Sequence, residues 1–239
     1  MAFLPRRSCQ RLTLDDWRAL LQKIDTVLFD ADGVLWNGNA SIDGSSEAVE
    51  KIATRRKVCL LTNNSSKSRA QYVDKCQKLG FTSFNRDNVV TTSAVLARHL
   101  SDQLNFKGTV YMIGSQGIAD ELDLVGIRHI GMGPDHYEDA LASSAGKSQL
   151  HVPLDPSVGA VVVGFDGYFS YVKCMKAASY LKKPECLWIA TNDDSSVPSA
   201  DPGLVIPGTG TMVCAVSVAS GRQPLILGKP YAPTLDYVR

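Results

Sequence analysis

Two carboxylates separated by one residue, Asp30 and Asp32, stand where an apolar run stops: Val27-Leu28-Phe29-Asp30-Ala31-Asp32-Gly33-Val34-Leu35-Trp36. Side chains alternate along an extended strand, but a turn at its end lets both acids reach one pocket. Such a pair can bind a hard divalent cation through oxygen. One carboxylate can instead attack phosphorus while the other gives and takes the proton. A solvated loop with helix-capping acids is the plain reading of a bare DxD; the strand before it and the Gly and aromatic residue after it weigh against that. A second stretch, Thr62-Asn63-Asn64-Ser65-Ser66-Lys67-Ser68, presents a hydroxyl and two amides and then opens a helix. Free backbone N–H groups and the helix dipole favour an anion there, although taken alone a polar loop with Ser66 or Ser68 as N-cap is the plainer reading. A third, Gly228-Lys229-Pro230, holds a cation between two turn residues, where it could neutralise a phosphate or the charge of its transition state. Taken alone it reads as a surface turn.

The elements around these stretches give them a common place. Thr26–Phe29 and Lys57–Leu61 are short apolar runs bounded by polar loops, as buried strands are. Leu12–Leu21, Ser46–Thr54 and Ser68–Leu79 have helical spacing, with Ser45 or Ser46 as a cap for the second and Gly80 ending the third. Val89–Thr92 precedes a helical stretch, Ser93–Leu104. The later half repeats the alternation: strands at Thr109–Ile113, Ala160–Val163, Leu187–Ala190 and Leu225–Leu227, helices ending at Leu124, Leu181 and Ser220. Gly131–Pro156 reads as a long surface connection. Strand and helix in alternation imply a parallel sheet covered by helices. Sites on such a sheet lie at the carboxyl ends of its strands, so the loops at Asp30 and Thr62 are expected to face one crevice.

Composition excludes several other classes. The chain has 239 residues, 44% hydrophobic and 21% charged, as ordinary globular proteins do; a disordered chain lacks that apolar content. With 25 basic and 24 acidic residues the net charge is +1, which makes no electrostatic case for nucleic acid. No apolar run approaches the ~18 residues of a membrane span. Arg6, Arg7 and Arg11 have no apolar segment behind them, so Met1–Arg11 reads as a frayed tail, not a secretory signal. Cys9, Cys59, Cys76, Cys174, Cys186 and Cys214 form no CxxC and have no His at zinc spacing, which suits reduced thiols in a cytoplasmic protein. His99, His129, His136 and His151 fall in no motif. Trp17 and Trp188 suit helix and sheet packing, and Trp36 suits either pocket or core.

In this order the three stretches resemble the haloacid dehalogenase superfamily of phosphatases. The closer likeness is to the group with a large α/β cap between the second and third motifs, which includes phosphoglycolate/glycerol-3-phosphate, pyridoxal-phosphate and para-nitrophenylphosphate phosphatases. It extends from about Leu12 to Tyr237 and includes Val161-Val162-Val163-Gly164-Phe165-Asp166, Phe169-Ser170-Tyr171 and Pro207-Gly208-Thr209-Gly210. The resemblance implies a Rossmann-like parallel-sheet core at residues 1–99, an inserted cap at 100–207 and a return to the core at 208–239. It implies that Asp30 is the nucleophile and forms an aspartyl-phosphate, and that Asp32 is the acid and base. Thr62 and Asn63, with Asn64 beside them, would hold phosphoryl oxygens, and Lys229 would stabilise their charge. Mg²⁺ would bind the Asp30 carboxylate and the Asp32 carbonyl. The cap loop Thr191–Pro198 matches the group's specificity loop, with Asn192 and Asp194 at its family positions. Pyridoxal-phosphate phosphatases carry a His where Val197 stands, so phosphoglycolate or glycerol-3-phosphate is the favoured substrate.

The resemblance also carries a departure. The group has a GDxxxTD motif after the Lys; this sequence reaches Arg239 ten residues past Lys229 without one. The expectation is a chain truncated before the fourth motif, with weakened magnesium binding and an exposed apolar edge at Val27–Phe29. Three functional expectations follow: a magnesium-dependent phosphatase of small-molecule phosphate esters; a non-catalytic interaction protein, with a homodimer through the cap; and a pyridoxal-phosphate or phosphoprotein phosphatase.

Overall fold

A computed structural model describes residues 11–138, 152–199 and 201–238. The chain runs through helix α1 (Leu14–Lys23), strand β1 (Thr26–Phe29), a hairpin of β2 (Trp36–Asn37) and β3 (Ala40–Ser41), helix α2 (Ser45–Ala53), strand β4 (Lys57–Thr62), helix α3 (Arg69–Lys78), strand β5 (Val89–Thr91) and helix α4 (Thr92–Arg98). Helix α4 continues as a π-helical turn over His99–Gln103. Next come β6 (Thr109–Ile113), α5 (Gln116–Leu124), β7 (His129–Ile130) and β8 (Val158–Val163). The last elements are α6 (Tyr171–Tyr180), β9 (Leu187–Ala190), β10 (Ser196–Val197), β11 (Ile206–Pro207), α7 (Thr209–Ser220), β12 (Leu225–Ile226) and α8 (Ala232–Val238).

Two parallel sheets result, in the order β1-β4-β5 and β12-β9-β8-β6-β7. This is the expected α/β class. Their runs of Val, Ile, Leu and Cys have the near-continuous apolar character of strands covered on both faces. Strands β6, β8 and β9 hold fully buried Val110, Met112, Val161, Val162 and Ile189. One apolar cluster joins the sheets, packing Cys59, Leu61 and Val90 with Val110, Met112 and Val162. Residues 208–239, expected to return to the first unit, give β12 to the second sheet, where it pairs with β9. The segment beyond that strand then turns back toward β1.

Strand β1 pairs only with β4 among the described residues, and Leu28 on it is 43% exposed. Helix α1 is amphipathic in sequence yet buries nothing; Trp17, expected in a packed helix face, is exposed. Ser45 and Ser46 do not cap α2. Gly44 holds that position with φ 74°, a left-handed conformation that Ser would adopt only under strain, and the Ser45 hydroxyl donates to the carbonyls of Leu35 and Ile42. Helix α3 is opened by Ser68, one of the two expected caps, in a capping box with Gln71. Residues 1–10, most of the expected tail, and 139–151, the centre of the expected long connection, lie outside the described residues, as does His151. No described helix is long and apolar enough to cross a membrane.

The thiols are free among the described cysteines. Burial pushes the Cys59 thiol up to about 11 and the Cys76 thiol up to about 12. Thiolate is the reactive form. At pH 8, a thiol reagent followed by peptide mass mapping should therefore label exposed Cys214 at least roughly tenfold faster than Cys59 or Cys76. Equal rates would show that the first sheet opens readily.

Candidate active site

Strands β1 and β4 are parallel neighbours, with Phe29 opposite Leu60, so the loops after Asp30 and Thr62 leave the sheet at the same edge. Strands β9 and β12 are likewise parallel, with Ala190 opposite Ile226. Their loops bring Asp194 and Lys229 to the same place. A pocket of about 550 Å³ lies between the loops and is lined by Asp30, Asp32, Thr62, Asn63, Asn64 and Lys229 on one side. Phe165, Asn192, Asp194 and Val197 line the other, with Pro198 and Ile206 beside them. The candidate site residues Asp30, Asp32, Thr62, Asn63, Asn64, Asn192, Asp194, Val197 and Lys229 thus border one cavity.

The Lys229 ammonium donates to Asp30 Oδ1 at 2.7 Å and to the Leu61 carbonyl at 3.0 Å. The Ala31 N–H donates to the same carboxylate oxygen at 2.8 Å. Asp30 Oδ1 is thereby fixed by two donors, and Oδ2 has no partner among the described residues. A carboxylate held by one oxygen with the other open to a pocket, beside a fixed cation, is placed to meet an electrophile.

Asn63 links the two sheets. Its Oδ1 accepts the Lys229 N–H at 2.7 Å, and its Nδ2 donates to the Lys229 carbonyl at 3.1 Å and to Asp194 Oδ2 at 3.0 Å. Asn192 Nδ2 donates to the same Asp194 oxygen at 2.7 Å. Expected as a phosphate ligand, the Asn63 side chain is already engaged on all sides, so what it does in this structure is seat Lys229. Gly228 permits that approach: a Cβ there would lie 2.9 Å from Asn63 Oδ1 and 2.8 Å from the Thr191 carbonyl. Asn64 is engaged too, its Oδ1 accepting from the Ser66 N–H and hydroxyl. Thr62 Oγ1 accepts from the Asn64 N–H and is bonded to the Tyr72 phenol, whose pKa burial raises.

Asp32 has a partner that its spacing did not reveal. The Trp36 indole donates to Asp32 Oδ1 at 2.9 Å, and Trp36 is fully buried. The Lys75 ammonium lies 4.0 Å from the same oxygen and 4.5 Å from the Trp36 ring. Desolvation lowers the Lys75 pKa, against the pull of Asp32. Tyr231, two residues past Lys229, donates to Asp193 at 2.6 Å. The described histidines pair elsewhere or stay clear of the pocket: His99 with Gln103, His129 with Asp123.

Magnesium typically binds through one or two carboxylates plus substrate phosphate and keeps several waters. The Asp30 carboxylate, together with the neighbouring Asp32 carbonyl, fits that donor set. No cluster of three or more His, Cys, Asp or Glu gathers among the described residues, so protein ligands beyond these are not supplied by them.

Known proteins agree with this architecture. Residues 27–128 match the model of a haloacid dehalogenase-like hydrolase family. Glycerol-3-phosphate phosphatase of Gallus gallus is 40% identical over 240 residues, covering 100% of this chain and 75% of the relative. Phosphoglycolate phosphatase 2 of Arabidopsis thaliana is 38% identical, with 96% and 75% covered. A crystal structure of a glycerol phosphate phosphatase from Mycobacterium tuberculosis in complex with magnesium superposes with TM-score 0.71 at 26% identity, covering 90% of this chain and 58% of that one. The chain belongs to the haloacid dehalogenase-like hydrolases. Within them it falls among the phosphatases, hydrolases of phosphate monoesters.

Proposed function

We propose that the protein hydrolyses small polyol phosphates such as glycerol-3-phosphate through an aspartyl-phosphate on Asp30. The observation that carries the chemistry is the 2.7 Å contact between Lys229 and Asp30, residues 199 apart in sequence, at the rim of the pocket. Asp30 Oδ2 attacks phosphorus as the bond from phosphorus to the ester oxygen breaks. The protonated Asp32 carboxyl gives its proton to that oxygen, and the alcohol leaves. Water then attacks the phosphoryl group while Asp32, now a carboxylate, takes its proton. The bond from Asp30 to phosphorus breaks, phosphate departs, and both acids return to their starting state. Lys229 offsets charge on the nucleophile and the phosphoryl oxygens throughout. Magnesium, held by the Asp30 carboxylate and the Asp32 carbonyl, would supply further neutralisation at those oxygens.

Charge on the far wall favours a polyol over a carboxylate in the leaving group. Asp194 lines that wall, and Lys229 is the one cation among the described lining residues. Asp194 Oδ2 accepts two amides, while Oδ1 has no partner among the described residues and can accept from a substrate hydroxyl. A glycolate carboxylate would meet Asp194 without a cation of its own, and like charges at close range repel. Magnesium-supported turnover of glycerol-3-phosphate, phosphoglycolate, pyridoxal phosphate and a phosphopeptide tests this. The expected kcat/KM for glycerol-3-phosphate is about tenfold above phosphoglycolate, a difference of ~1.4 kcal/mol. Asp194→Asn should narrow that ratio by raising phosphoglycolate turnover. Preference for phosphoglycolate by the unmodified chain would refute the polyol assignment. No turnover above an Asp30→Asn control would refute the phosphatase reading itself.

A further inference from the structure

Trp36 offers an indole N–H inside an apolar cage, and that group needs an acceptor. The ring stacks on Tyr72 at 6.3 Å between centroids and meets Phe81 edge-on at 5.6 Å. Phenylalanine would fill such a cage but could not donate. The acceptor is Asp32 Oδ1, and Lys75 stands over the indole ring within reach of the same oxygen. A cation over an indole face withdraws electron density from the ring, which makes the N–H a better donor. Two residues from two elements thus converge on one oxygen of one carboxylate. The other oxygen, Oδ2, has no partner among the described residues, and Asp32 lines the pocket.

We propose that Trp36 and Lys75 are positioning residues for Asp32. They hold Oδ1 so that Oδ2 is the oxygen presented to the leaving group, and Oδ2 carries the proton that passes to the ester oxygen as its bond to phosphorus breaks. The proposal rests on the reading of Asp32 as the acid. Neither residue touches the substrate, so both act through the carboxylate. The plain alternative is a core tryptophan whose N–H happens to be satisfied, with a lysine covering it.

Leaving-group dependence separates the two. A 4-nitrophenolate leaves with little need of a proton, whereas an alkoxide needs one. The test compares 4-nitrophenyl phosphate with an alkyl phosphate, whichever of glycerol-3-phosphate and phosphoglycolate is turned over better, with magnesium present. In Asp32→Asn the loss of kcat on the alkyl ester should exceed that on the aryl ester by roughly a hundredfold. Trp36→Phe and Lys75→Met should each show the same pattern at about tenfold, with KM within about twofold, and Lys75→Arg should recover most of the loss. Equal losses on both esters in Trp36→Phe and Lys75→Met, beside a leaving-group-dependent Asp32→Asn, overturn this proposal alone. Equal losses in Asp32→Asn overturn the acid assignment as well. No turnover of either ester by the unmodified chain overturns both. Because a core variant can fail to fold, the indole N–H resonance of Trp36 in a ¹⁵N spectrum gives a second readout on a chain with three tryptophans. Asp32→Ala should shift it strongly; an unmoved resonance overturns the proposal.

Discussion

Asp30→Asn should lower kcat by on the order of 10⁵-fold, as removal of a nucleophile does elsewhere, and leave the fold intact. An amide cannot attack phosphorus, and the acyl-phosphate that divides the reaction into two steps cannot form. The substitution also removes the ion pair with Lys229. That pair is partly exposed, Asp30 by 49%, and surface pairs contribute only about 0–1 kcal/mol. Activity should therefore collapse while the urea midpoint barely moves. Acid-quenched protein from a reaction with ³²P-labelled substrate should carry label in the unmodified chain and none in the variant. Turnover within tenfold of the unmodified chain would require another nucleophile, and then the contact between Lys229 and Asp30 would be a structural ion pair only.

That Asp30 could be singled out from sequence follows from how a parallel sheet is written. Val58–Leu61 is buried and Val27–Phe29 only in part, yet both read as unbroken apolar runs, and the polar residues that follow each run mark the edge where loops gather. Lys229 was legible for a similar reason, after Leu225–Leu227. Local sequence could not say which sheet β12 joins, because a strand of two residues carries little pairing information; its pairing with β9 brings Lys229 up beside Asp194 and Asn63. The internal partners of Asn63 and Asn64 could not be read from residue type alone. A side-chain amide in a polar loop looks like an open ligand until its neighbours are known, and here Asn63 is bonded through both its oxygen and its nitrogen and Asn64 through its oxygen. Trp36 and Lys75 were invisible as a unit, since one follows β1 and the other lies on α3, and only their packing brings them to Asp32. The buried pairs of Arg69 with Glu121 and Lys173 with Asp166 were hidden for the same reason.

Asp166 and Lys173 yield the largest expected effect on stability. Strand β8 ends at Val163, and the loop after it carries Phe165 into the pocket wall and Asp166 into the second sheet's core. Asp166 Oδ1 accepts from the Tyr168 N–H at 2.8 Å, and Oδ2 accepts from the Lys173 ammonium at 2.5 Å. Both side chains are buried, at 2% and 0% exposure. Asp166→Ala leaves an ammonium in an apolar environment with its acceptor gone, which costs roughly 3–5 kcal/mol. Against a total stability of about 5–15 kcal/mol, that is enough to leave the domain marginal. Lys173→Met alone should cost less, since the carboxylate keeps the Tyr168 N–H. The double variant Asp166→Ala with Lys173→Met should recover most of the loss, because an apolar replacement removes the desolvation penalty together with the attraction. What remains is about 1 kcal/mol for the lost bond to Tyr168. Urea unfolding of the four proteins measures this cycle. Additive losses in the double variant would show that the two groups do not depend on one another. The loop also connects the pair to the site: the Ser115 hydroxyl donates to the Phe165 carbonyl at 2.5 Å, from the other side of the same turn. In the double variant, restored stability with a raised KM would mean that the ion pair sets the position of Phe165 over the leaving group; restored stability with an unchanged KM would confine it to the core.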